Sequence, residues 1–185
     1  MLFRMFLEKQ NPAEESKMLE INLNFENLNE EQIYADLLVN LGTLFPDSDF
    51  VISVLSNFTA MLKQSFGKIS WVGFYFVNQD YLHLGPFQGK IACTQIKIGS
   101  GVCGTSAQEK KTVIVENANK FPGHIACDSD SKSEIVVPIV HEGLLLGVLD
   151  IDSYRYSAFG ETDKKYLEKM IAFLTPKINR SLKLN

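Results

Sequence analysis

The chain has 185 residues, of which 45% are hydrophobic and 22% charged, and a formal net charge of −4. That length and balance fit one ordinary globular domain with a sizeable core. Mild acidity argues against nucleic acid or an anionic membrane surface as the main partner, and no apolar run approaches the ~20 residues of a membrane span.

The N-terminal stretch MLFRMFLEKQ resembles a signal only superficially. Arg4 breaks its apolar run, Glu8 ends it, and no small-residue cleavage site follows. The chain therefore reads as cytoplasmic. Residues 1–17 read as a candidate disordered extension, with Met18 a candidate start, and residues 18–185 as a single domain. Ile33, Leu37, Leu38, Leu41 and Leu44 recur at helical spacing, and so do Val51, Val54, Leu55, Phe58 and Leu62. The two helices meet at FPD, where Asp47 or Ser48 is placed to cap the second and Gly67 to end it. ISWVGFYFV then alternates with period two, Val72, Phe74 and Phe76 on one face and Trp71, Gly73 and Tyr75 on the other. YLHLGPF and CTQIKI read as further strands, GSGVCGTSAQEKK as a short helix and TVIVEN as another strand. After the loop FPGHIACDSDSK come two apolar strands, EIVVPIV and LLLGVLDIDS, joined by HEG into a hairpin. A closing helix, GETDKKYLEKMIAFLTPKINRSL, contains Pro176, which is expected to kink it or end it early. Consecutive strands joined by tight turns predict an α+β fold, an antiparallel sheet with helices packed on it.

Three cysteines are present, Cys93, Cys103 and Cys127, with no C-x-x-C pair, so a structural zinc site fits poorly. Burial as small hydrophobes explains Cys93 and Cys103 as well as reactivity does. Cys127 differs, because GHIACDSDS around it is polar and turn-forming. A reactive thiol must be reachable and able to ionise; His124 favours ionisation there and the neighbouring acids oppose it. In DIDS, Asp150 and Asp152 stand two apart and so share one strand face. Antiparallel pairing through HEG brings Glu134 opposite them. Three carboxylates thus converge, suited to a cation, a shared proton or a ligand ammonium, although acids at strand ends are more often simply solvated. Trp71 and Tyr75, with an open space expected over Gly73, suit either a second core or an aromatic box. IGSGVCG is a weak anion-turn signal, since it lacks P-loop and dinucleotide spacing.

These segments together resemble the free methionine-(R)-sulfoxide reductases, enzymes built on one GAF domain. WVGFY, IACTQIKIGSGVCGTSAQ, FPGHIACDSDSKSEIVVPI and GVLDIDS carry the resemblance, which runs from about residue 26 to the C-terminus. It implies a GAF fold: a six-stranded antiparallel sheet with helices packed on one face and a ligand pocket on the other. It implies Cys127 as catalytic nucleophile, Cys93 as the cysteine that resolves it by disulfide formation, and Cys103 as a third that can also pair. Trp71 and Tyr75 would surround the substrate methyl group. Glu134, Asp150 and Asp152 would hold the amino group and the sulfoxide, with Glu134 and Asp152 as proton donors and Asp150 on the ammonium. The family implies no bound cofactor or metal, thioredoxin with NADPH as external reductant, a homodimer, and a Cys127 loop that must move between substrate and resolving thiol. Two rivals stand beside it: a non-enzymatic GAF sensor, and a metal protein using Asp150, Asp152 and His124.

Overall fold

The computed structural model describes residues 25–47, 49–123 and 128–183. Two helices, α1 (Glu30–Leu44) and α2 (Val51–Ser65), precede the strands β1 (Trp71–Asn78), β2 (Tyr81–Gln88) and β3 (Gln95–Lys97). A short helix α3 (Gly101–Glu109), strand β4 (Val113–Val115), the hairpin β5 (Ser133–His141) and β6 (Leu144–Ser153), and helix α4 (Glu161–Lys183) complete the chain. The six strands form one sheet in the order β3-β2-β1-β6-β5-β4, antiparallel throughout.

The period-two alternation of β1 separates two apolar clusters. Val72 and Phe74 point to the side covered by α1, α2 and α4, where Leu37, Phe58 and Leu167 are fully buried against Ile135, Val137, Leu149 and Ile151. Trp71 and Tyr75 point to the other side, where they meet Val136, Val148 and, from α3, Val102, Cys103 and Ala107. Three helices thus cover one face, as the resemblance implies, while α3 borders the site on the other.

Two local expectations are corrected. Helix α2 takes Phe50 as its N-cap with no side-chain cap bond. The Asp47 carboxylate is held instead by Lys177 and Arg180 of α4; Ser48 lies outside the described residues. Pro176 does not end α4, which runs on to Lys183. Pro176 and Ala172 both face solvent, so the Ala172 carbonyl that loses its helical donor is available to water, and the buried Leu174 and Ile178 hold the helix down. Helix α1 is closed by a capping box, Asn29 with Gln32.

A buried ion cluster ties the helical layer to the strand end that carries the acids. The Lys68 ammonium lies 2.6 Å from Glu30 and 2.7 Å from Asp163, and the Tyr34 hydroxyl donates to Asp163 at 2.9 Å. The Lys68 carbonyl accepts from the Ser153 hydroxyl at 2.6 Å, and the Ser70 N–H donates to the Asp152 carbonyl at 2.8 Å. The end of β6 is therefore fixed from both sides.

Candidate active site

Strand register builds the site. Within the β5–β6 hairpin, Glu134 lies opposite Asp152 and Val136 opposite Asp150; across β1–β6, Trp71 lies opposite Asp152 and Gly73 opposite Asp150. Residues two apart share a face, so the three carboxylates gather beside Trp71 and Tyr75. One oxygen of each lies within 4.8 Å of the others. All five side chains line a single pocket, together with Lys90, Ser131 and the first residues of α3. The convergence expected from the hairpin is thus present.

Glu134 and Asp150 are buried. Burial pushes the Glu134 carboxyl well above the ordinary carboxylate range, and the charge of Asp152 adds to the effect. Burial does the same to Asp150, helped by Asp152 and Glu134. Asp152 is half-buried and accepts a 2.6 Å hydrogen bond from the Ser131 hydroxyl. Among the described residues, buried Asp150 Oδ1 has no hydrogen-bond partner, a costly state for a polar atom unless another group completes it. Three oxygen donors suit a cation, whether an ammonium or a hard metal ion. Burial thus favours the protonated form of the Glu134 and Asp150 carboxyls, and the site offers carboxylate oxygens to a positive group.

The aromatic wall is held by ring packing and two hydrogen bonds. The Trp71 and Tyr75 rings lie 6.0 Å apart, and Phe87 stacks on Trp71 at 5.5 Å. Trp71 Nε1–H donates to the Lys90 carbonyl at 3.0 Å, and the Tyr75 hydroxyl donates to the Cys93 carbonyl at 3.1 Å. The expected open space over Gly73 is filled. A Cβ there would lie 2.3 Å from the Trp71 indole and 2.6 Å from Phe87 Cβ, and one at Gly89 would lie 2.5 Å from the same indole. The two glycines are the bed on which Trp71 rests.

Cys93 is half-buried and disulfide-bonded. Cys103 is free and buried, and burial together with the Asp150 and Glu134 charges pushes its thiol well above the ordinary range. A thiol so placed resists ionisation and is a poor nucleophile. Cys127 and His124 lie outside the described residues. In the glycine-rich turn, the Gly99 and Ser100 N–H groups are already bonded to the Gly104 and Lys97 carbonyls, so only the start of α3 itself faces the pocket. Lys90, Ser131 and Phe87 were not anticipated. Each reaches the site by a side-chain direction that no local pattern encodes.

Residues 52–175 match the GAF domain family. The chain is 47% identical over 154 residues to GAF domain-containing protein A of Dictyostelium discoideum, covering 83% of this chain and 97% of that one. It is 45% identical over 152 residues to the free methionine-R-sulfoxide reductase of Saccharomyces cerevisiae, covering 78% and 84% of the two. Among solved structures, the free methionine-R-sulfoxide reductase of Neisseria meningitidis in complex with its substrate superposes with a TM-score of 0.83 at 39% identity, covering 89% of this chain and 99% of that one. Fold, register and these relatives agree: the chain belongs to the GAF-domain family of free methionine-(R)-sulfoxide reductases.

Proposed function

We propose that this protein reduces free L-methionine-(R)-sulfoxide to L-methionine. The observation that carries this reading is the carboxylate cluster of Glu134, Asp150 and Asp152 beneath the Trp71–Tyr75 wall. The substrate ammonium goes to Asp150, one of whose oxygens has no partner among the described residues. The methyl group lies against the aromatic rings. Glu134, whose carboxyl pKa burial pushes upward, is the general acid for the sulfoxide oxygen, with Asp152 as its partner in sharing the proton.

The Cys127 thiolate attacks the sulfoxide sulfur, and the sulfoxide oxygen ends on Cys127 as a sulfenic acid when methionine leaves. The Cys93 thiol condenses with the sulfenic acid, forming a disulfide and releasing water. The disulfide-bonded state of Cys93 supports its resolving role. Cys103, buried and reluctant to ionise, is a reserve thiol rather than the first partner. An external dithiol, thioredoxin supplied by NADPH, restores the thiols. The same reading takes the working form as a cytoplasmic homodimer. Among the described residues no helix is long and apolar enough to cross a membrane.

Free amino acid is preferred because a peptide lacks the ammonium, and leaving buried acids without their partner is costly. An NADPH-coupled assay with thioredoxin and its reductase tests the proposal. Free L-methionine-(R)-sulfoxide should be turned over, and the S epimer and peptide-bound sulfoxide should not. Cys127→Ser should abolish even a single turnover, while Cys103→Ser should keep multiple turnovers. No NADPH consumption with the free R epimer would leave the GAF sensor reading in its place.

A further inference from the structure

Lys90 lines the pocket three residues before the disulfide-bonded Cys93, between β2 and β3. Its ammonium lies 3.1 Å from Asp128 and 2.8 Å from Asp130. It also stands 5.1 Å over the Tyr154 ring, and the Tyr154 hydroxyl donates to Asp128 at 2.8 Å. The Asp130 N–H donates to Asp128 Oδ1 at 3.0 Å. Through its carbonyl the same lysine receives Trp71 Nε1–H at 3.0 Å. One residue therefore joins the Cys93 segment, the loop that follows Cys127 in sequence, the residue just after β6, and the aromatic wall. No catalytic step above uses it.

We propose that Lys90, Asp128, Asp130 and Tyr154 form a clasp that stabilises the disulfide-bonded state of Cys93, with Lys90 as its positioning residue. The contacts require the β2–β3 segment and the 128–130 loop to be apposed, as a Cys93–Cys127 disulfide, the pairing proposed above, also would. Clasp and disulfide then support each other, because two constraints on one apposition are thermodynamically linked. The clasp sets how strong an external dithiol must be to reopen the bond. Lys90 and Asp130 are exposed and Asp128 only partly so, so the clasp weakens with salt.

The test is the redox equilibrium of the full-length protein with dithiothreitol. The S–S bond takes up two electrons and two protons to give two thiols, while dithiothreitol loses them and closes to its cyclic disulfide. An exposed ion pair with Asp130, a partly buried one with Asp128 and a cation–π contact together support a shift of about tenfold, which is about 30 mV for this couple. Lys90→Met should move the equilibrium by that factor toward the dithiol. Lys90→Arg, which keeps the charge and the ring contact, should stay within about threefold of the parent. Asp130→Asn, at an exposed position, should shift it in the same direction by about two- to threefold, and carries the test if Lys90→Met does not fold. Salt should shift the parent and leave Lys90→Met unmoved. An unchanged equilibrium in Lys90→Met and Asp130→Asn, or an equal shift in Lys90→Arg and Lys90→Met, overturns the clasp. This equilibrium is read whether or not the chain reduces a sulfoxide, so its failure and that of the reductase reading are separate results.

Discussion

At Asp150, stability and the proposed function pull in opposite directions. Its carboxyl is buried, lacks a partner at Oδ1 among the described residues, and has its pKa pushed well above the ordinary range by burial and then by Asp152 and Glu134. An acid with a raised folded pKa contributes stability that is fully present below its unfolded pKa, about 4. That contribution is lost as pH rises through the folded value. The ligand-free protein should therefore lose stability with rising pH through Asp150 and Glu134. Asp150→Asn removes one such charge. It should stabilise the empty protein by about 0.5–2 kcal/mol at neutral to mildly alkaline pH, or about 2–4 °C per kcal/mol in melting temperature. Its advantage over the parent should widen with pH, while KM for the sulfoxide rises about tenfold. Calorimetry across the pH range, paired with steady-state kinetics, checks both halves. A constant gap between variant and parent at every pH would remove the raised carboxyl from the explanation. At this scale the sequence was informative about the acids and silent about Lys90, whose clasp partners lie 38 residues or more away.

At the scale of elements, β1 shows how a strand can serve two layers. Alternation sends Val72 and Phe74 to the helices and Trp71 and Tyr75 to the pocket, and that alternation is visible in the residues alone. What fills the gap over Gly73 is not visible, since Phe87 arrives from β2 and the indole folds back over its own strand. Gly73→Ala should push the indole off its bed. A Cβ 2.3 Å from a ring atom and 2.6 Å from Phe87 Cβ cannot be absorbed without a shift. The chain has one tryptophan, so its emission maximum reports that shift directly. A red shift and a KM increase of about tenfold are expected, with overpacking destabilising the fold by about 1–3 kcal/mol. Unchanged emission and KM would mean that Trp71 does not depend on the glycine. The α2 cap and Pro176 teach the same lesson from the other side: a local rule yields when α4 supplies a better partner or a solvated face.

Across the whole molecule, the Lys68 cluster joins α1, α4 and the end of β6. Lys68 and Asp163 are both buried, so truncating Lys68 leaves the Asp163 carboxylate buried without its cation. Lys68→Met should cost about 3–5 kcal/mol and lower the melting temperature by about 6–20 °C. Adding Asp163→Asn should recover a large part of that loss, because no orphaned charge is then left. Urea unfolding of the single and double variants measures both. A double variant as unstable as Lys68→Met alone would show that the ion pair is not what the cluster contributes.

The sequence by itself determined the α+β class, the order of the elements, the two faces of β1 and the set of acids that meet, because strand period and hairpin register are local and act over a few residues. It also carried the motifs by which the family resemblance is legible. Only the tertiary structure decided what the site does with those residues. Burial raises the Glu134 and Asp150 carboxyls and holds Cys103 as a thiol, and packing fills the space over Gly73. Lys90 and Tyr154 come to the mouth of the pocket by long-range approach. Desolvation and contact depend on every atom that arrives from elsewhere in the chain, and no window of sequence contains them.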